Sequence, residues 1–218
     1  MAELRTEEEQ LEAIKRWWKE NGTSLIAGVA IAAAGVFGWN TWQDYQAGEA
    51  EAASMRYQQL VDLTGRDDLN DDARRRAGEL VTEITDQHGQ TLYADLARLL
   101  DARLAIGAGD RPRARAALEA VIEGSERDYL EGLARLRLAR LQLAEGNAET
   151  ALTTLEGVPE TLAAQRAETV GDAQHALGRP DQAREAWSEA LSLAEQHNQP
   201  LYGVQLKLDD LGTEEATL

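Results

Sequence analysis

Cysteine is absent from this chain, which removes disulfide frameworks, thiolate nucleophiles and thiolate metal sites in one stroke. Aromatics are scarce, with a single phenylalanine, and proline occurs only four times. The three histidines, His88, His175 and His197, stand in no ligand spacing such as H-x-x-x-H, and no glycine-rich phosphate loop or G-x-S-x-G turn occurs. Positive charge is also short: the formal net charge is −17. Four basic and seven acidic residues fall in 1–46, which leaves −14 for the remainder. A domain that acidic repels phosphate backbones, so nucleic-acid binding is disfavoured. Neither an enzyme, a cofactor site nor a metal site is expected. The one imitation of a metal motif is Asp68-x-Asn70-x-Asp72 with Glu79 at the twelfth position, a calcium-loop spacing. Its sixth place holds Ala73 where the sharp turn needs glycine, and three arginines follow, so a polar turn and helix cap is the ordinary reading.

The most informative absence is local. Between Glu20 and Asp44 there is no charged residue, and the middle of that gap reads LIAGVAIAAAGVFGW. As a helix the gap is about 34 Å long, enough to cross a hydrocarbon core of about 30 Å. Arg5, Lys15, Arg16 and Lys19 precede it, whereas the twenty residues after Trp42 hold only Arg56. Excess Lys and Arg marks the cytoplasmic flank, so the tail stays inside and the bulk of the chain is translocated, in a bacterium to the periplasm. Trp17 and Trp18 on one side, and Trp39 and Trp42 on the other, suit the two interfaces. A cleaved signal peptide, with Ala50-x-Ala52 as its site, and a buried core helix are the competing readings. Gly28, Ala32, Gly35 and Gly38 give the span small residues at helical spacing, which suit close helix packing in lipid or an undemanding anchor equally. In the tail, Leu11, Ile14 and Trp18 recur at i, i+3 and i+7 beside three cations, the pattern of a short helix lying on anionic lipid or of a plain topology signal.

Abundant Ala, Leu, Glu and Arg make the soluble part all-helical. Three segments repeat a pattern: AGDRPRARAALEAVI, AEGNAETALTTLEGV and ALGRPDQAREAWSEA. Each has Gly, Ala five later and a large apolar residue four further on: Gly109/Ala114/Leu118, Gly146/Ala151/Leu155 and Gly178/Ala183/Trp187. Seven before each Gly stands a small residue, Ala102, Ala139 or Gly171. The glycine separations bracket the tetratricopeptide period of about 34 residues. Divergent tetratricopeptide-like repeats are therefore expected over 95–128, 132–165 and 164–197. The usual terminal proline is missing from all three, and Arg98, Arg135 and Ala167 occupy the first aromatic position. Upstream, a helix is expected to continue from the span over Gln46 to Thr64, with a second over Asn70 to Gln87. Downstream, Leu201 to Leu211 can cap the last repeat. The fold class is all-α: a single N-terminal transmembrane helix followed by an α-solenoid. The expected layout is a tail over 1–21, the span over 22–43, a connector and helix pair over 44–91, and repeats with a cap over 92–218.

Solenoids of helix pairs bind extended partners along the face built from the first helix of each pair. Tetratricopeptide register puts Leu96, Leu99, Arg103 and Ile106 there from the first repeat. The second contributes Leu133, Leu136, Arg140 and Leu143, and the third Gln165, Glu168, Asp172 and His175. Arg103 and Arg140 on an apolar surface suit a peptide's carboxylates or carbonyls, although several of these leucines can equally be core.

The block EQLEAIKRWWKENG (Glu9 to Gly22), the span, and Gly38-Trp39 with Trp42 resemble the YfgM family. ASMRYQ, LRLARLQL, Ala186-Trp187 and the closing KLDDL extend the resemblance along the chain. It implies a single-pass inner-membrane protein with a tetratricopeptide-like periplasmic domain, acting as an ancillary subunit of the Sec translocon. The implied partners are translocon subunits, a PpiD-like membrane chaperone, unfolded or nascent secreted polypeptides and membrane lipid. A cell-envelope scaffold without chaperone activity is the alternative role. On the topology read from flanking charge, protease added to intact spheroplasts should digest residues 44–218 and spare the N-terminal segment. Survival of the C-terminal bulk would refute that orientation.

Overall fold

The computed structural model describes residues 7–65 and 70–215. Arg5 and Asp68, invoked above for the inner flank and the calcium-like spacing, lie outside them. The described residues are helical apart from turns, with no strand among them. Two compact units are distinguished, Met1–Glu51 and Ala52–Leu218.

In the first unit, helix α1 (Glu7–Thr64) starts in the tail and runs unbroken through the uncharged gap, with its last turns in the second unit. Every residue from 23 to 48 is exposed, including Ile31, Val36 and Phe37. A core helix would bury these side chains; a lipid-facing rod does not. α1 is the one described helix long and apolar enough to cross a membrane. A Cβ on Gly28, Gly35 or Gly38 would meet nothing within 4 Å, so this face is unpartnered. Leu11, Ile14 and Trp18 are exposed as well.

The second unit is a series of helix pairs. The end of α1 leads to α2 (Asp71–Gln87), followed by α3 (Leu92–Gly107) with α4 (Arg111–Gly124) and α5 (Asp128–Ala144) with α6 (Ala148–Leu155). After a 3₁₀ turn at Glu160–Leu162 come α7 (Ala163–Ala176), α8 (Pro180–Gln196) and α9 (Val204–Glu215). Asn70 caps α2, its side chain accepting from the Ala73 amide at 2.8 Å, so the calcium-like spacing works as a helix start. Asp110 caps α4 in the same way, with Pro112 in the first turn where a missing N–H costs nothing.

The repeat glycines end α3, α5 and α7 by one device. Gly109, Gly146 and Gly178 have φ of 76°, 82° and 69°, a left-handed conformation that Cβ disfavours. The amide after each glycine reaches back to the carbonyls of Ala105, Gln142 and Gln174, at 2.8, 2.8 and 3.0 Å. The glycine amides bond Ile106, Leu143 and His175. This is the Schellman arrangement, which satisfies carbonyls that a helix end orphans. Asn198 repeats it after α8, with φ 51° and the Gln199 amide on Ala194 at 2.9 Å. The final helix starts at Val204, not Leu201, because Gly203 turns the chain at φ 91°.

Each pair closes over the small residue seven before its glycine. Ala102 and Ala139 are buried against the layers holding Leu118 and Leu155. In the last pair both sides change: Trp187 replaces leucine and Gly171 replaces alanine. A Cβ on Gly171 would lie 2.3 Å from the indole, so the larger ring needs the smaller partner. Among the described residues the core forms four consecutive clusters, each bridging neighbouring elements, running from Leu60 and Ile84 to Val204 and Leu211. Such a core follows solenoid logic, in which each layer depends on its neighbours. Gly171→Ala should cost about 1–3 kcal/mol by overpacking, and Gly109→Ala about 1–2 kcal/mol by forcing alanine left-handed. Thermal unfolding of the full chain in nonionic detergent, followed by far-ultraviolet circular dichroism, checks both.

Candidate functional site

The second unit carries a groove of about 570 Å³ between α3, α4 and α5. Its apolar lining includes Ala102, Ile106, Leu118, Leu141 and Ala144, and its cationic groups are Arg103, Arg111, Arg137 and Arg140. Volume and composition fall in the range of binding clefts, mostly apolar with a few placed polar groups. α3 supplies Arg103 and Ile106 one turn apart, and α5 supplies Arg137 and Arg140 at i and i+3, so one face of α5 presents two cations together opposite the one from α3.

The electrostatics of the groove differ from those of the rest of the unit. Elsewhere several arginines are paired with carboxylates of another element. Asp95, almost fully buried, accepts from Arg127 at 3.1 Å and from the Ser125 hydroxyl at 2.8 Å. Arg113 on α4 reaches Asp101 on α3, and Arg115 reaches Glu145. In the groove, no carboxylate among the described residues pairs with Arg103, Arg111 or Arg137. Arg137 donates instead to the Leu99 carbonyl at 3.2 Å. Burial, and then the like charges of Arg103 and Arg140, pull its guanidinium below the ordinary arginine range, while the Tyr57 and Tyr129 hydroxyls act the other way. Burial also pushes the Tyr57 hydroxyl up, against the attraction of Arg137. Tyr57 stacks at a tilt on Tyr93 at 5.8 Å between ring centres. Arg140 has only a loose ion pair, 3.7 Å from Glu168.

A second, smaller pocket of about 230 Å³ lies between α7, α8 and α9 and holds Asp172, His175, Trp187 and Lys207. The Trp187 indole N–H donates to the Glu168 carbonyl at 3.2 Å and to the Asp172 carboxylate at 3.1 Å. Lys207 from α9 donates to Asp172 at 2.6 Å and Glu168 at 3.1 Å. His175 meets Trp187 edge-on at 5.7 Å. These contacts pin the last helix to the stack.

The expected binding face is therefore split. Arg103, Ile106 and Arg140 line the groove, and His175 is exposed at the second pocket. Leu99 and Leu136 do not belong to an accessible face: they are 4% and 1% exposed, in the core layers with Leu118 and Leu155. Leu99 packs against its own partner α4 and against α5, whereas Leu136 packs against its own partner α6 and the segment that follows it, and this covers one edge of each stripe. Leu143 is half-buried against the same core, and Asp172 is engaged by Trp187 and Lys207. Sequence reasoning missed Arg137 and Arg111. Arg137 was signalled by its place three residues before Arg140, whereas Arg111 reaches the groove only through the geometry of the turn. Among the described residues, no three His, Asp or Glu side chains converge as metal ligands would.

The family of the tetratricopeptide repeat-like domain matches residues 15–213. A protein of Aggregatibacter actinomycetemcomitans named ancillary SecYEG translocon subunit is 34% identical over 97% of this chain and its own whole length. Proteins of the same name from Haemophilus influenzae and Escherichia coli are 30% and 32% identical, over 94% and 83% of this chain and 97% and 85% of their own. No solved structure matches.

Replacing Lys207 with alanine should free α9. Two partly exposed charge-assisted bonds are worth about 1 kcal/mol together, so amide exchange over Val204–Glu215 should rise roughly five-fold. Exchange in α3 to α5 should stay unchanged.

Proposed function

The chain belongs to the YfgM family of ancillary SecYEG translocon subunits, and from that premise we propose that it is a single-pass inner-membrane protein whose helix-pair stack binds polypeptides leaving the channel. The observation that carries this reading is extent. The likeness to the family runs from residue 15 to residue 213, through the apolar helix and the repeats alike, so anchor and stack form one functional object. Flanking charge favours a cytoplasmic tail and a periplasmic stack.

The stack receives emerging segments in the arginine-lined groove and passes them to periplasmic chaperones together with a PpiD-like membrane partner. Tethering makes weak contacts sufficient, because an anchored site near the exit meets its client at high effective concentration. The role is that of a non-catalytic adaptor. The small-residue face of α1, with Gly28, Ala32, Gly35 and Gly38, offers other membrane helices close approach, and the tail's Leu11, Ile14 and Trp18 face lipid beside Lys15, Arg16 and Lys19.

A photo-crosslinking residue placed at Gly28 and, separately, at Arg103 tests this in intact cells. Translocon subunits and a PpiD-like protein should be captured from Gly28, and secreted polypeptides in transit from Arg103. Capture of envelope-assembly proteins alone would favour a scaffold. The full chain in detergent should also slow aggregation of a reduced, unfolded model protein at a few-fold excess; no effect would remove the chaperone role.

A further inference from the structure

Resting on the protein-binding role above, we propose that the groove between α3 and α5 selects polypeptide segments in which apolar side chains are flanked by carboxylates. The cavity provides two kinds of complement at once. Ile106, Leu141 and Ala144 give it an apolar wall, and Ile106 is 49% exposed, an unusual state for isoleucine in a packed domain. Arg103, Arg137 and Arg140 ring that wall with planar donors suited to bidentate carboxylate contact.

Charge bookkeeping across the unit decides the sign of the occupant. With 39 acidic residues against 22 basic ones, the chain has carboxylates to spare. Among the described residues, Arg103, Arg111 and Arg137 nevertheless have no carboxylate partner, while Arg113, Arg115 and Arg127 are paired. The guanidiniums of Arg103, Arg137 and Arg140 share the groove closely enough to interact: beside burial, which is the larger cause, the like charges of Arg103 and Arg140 lower the basicity of Arg137, and an incoming carboxylate relieves that repulsion. A cationic segment would add to it. The acidic remainder of the unit repels an anionic bilayer as a whole, and a flat headgroup surface has no side chain to put into the cavity. A bare anion would leave the apolar wall in water. A short peptide, apolar at its centre and acidic beside it, meets both requirements.

The full chain, reconstituted in phosphatidylcholine nanodiscs, is titrated into a fluorescein-labelled decapeptide of alternating glutamate and leucine, read by anisotropy. Two control peptides replace every glutamate by glutamine or every leucine by serine. The glutamate–leucine peptide should bind at least tenfold more tightly than either. Arg103→Glu with Arg140→Glu should weaken it a further tenfold or more. Arg103→Gln with Arg140→Gln, a milder change at exposed positions, should weaken it several-fold, with the circular dichroism of wild type. Equal binding of the glutamine peptide overturns the proposal, as does wild-type affinity in both double variants. Displacement of the peptide by glycerol phosphate, the headgroup anion, at the concentration of competing peptide would make the groove a simple anion site and also overturns it. If no peptide binds while the wild-type protein still co-purifies with translocon subunits, the selectivity fails and the ancillary role stands. Loss of that co-purification sinks the ancillary role whatever the peptides do.

Discussion

Two helices close against each other only where one of them yields side-chain volume, and each repeat here does so at a fixed distance from its turn. Ala102, Ala139 and Gly171 sit two turns before the left-handed residue that ends their helix. The second helix of the pair then places Leu118, Leu155 or Trp187 over them. The turn and the contact are coupled: the Schellman geometry at Gly109, Gly146 and Gly178 fixes the angle at which the second helix returns. Change the small residue and the contact is lost; change the glycine and the approach angle is lost. The four-cluster core, and the groove cut into it between α3 and α5, both depend on that pairing.

Charge is distributed with the same economy. Buried and half-buried carboxylates on the first helices hold arginines from the next element, as in Asp95 with Arg127 and Asp101 with Arg113. The first joins one pair to the start of the next, and the second joins the two helices of a single pair. The groove gathers Arg103, Arg111, Arg137 and Arg140 from three helices, where Arg137 has a backbone carbonyl and two tyrosine hydroxyls for company and Arg140 a loose pair with Glu168. An acidic protein thus keeps a cationic surface of its own, framed by apolar side chains.

Much of this was legible beforehand. The uncharged gap pointed to one long apolar helix, and the Gly-Ala-apolar spacing pointed to helix pairs that turn at Gly109, Gly146 and Gly178, because those positions are fixed by backbone geometry and by size, which single residues reveal. The family likeness followed from the block around Trp17 and Trp18. What the sequence concealed was which edge of each first helix stays open. Leu99 lies one turn from Arg103 and Leu136 one turn from Arg140, in the same stripe, yet packing covers the leucines and leaves the arginines. That outcome depends on the offset between layers, which no local pattern encodes. Arg111 joined the groove for a similar reason. Asn198 in the place of a fourth glycine went unread because asparagine also serves in ordinary turns.

Trp187 has a use beyond holding the last pair together. The other four indoles, Trp17, Trp18, Trp39 and Trp42, all lie in the first unit and are about half exposed, whereas Trp187 is 3% exposed and bonded to a carboxylate. With those four changed to phenylalanine, the protein would carry one tryptophan, excitable at wavelengths its five tyrosines do not absorb and seated where α7, α8 and α9 meet. Its emission colour and quenching would then report, in an unlabelled chain, whether the far end of the solenoid is shut.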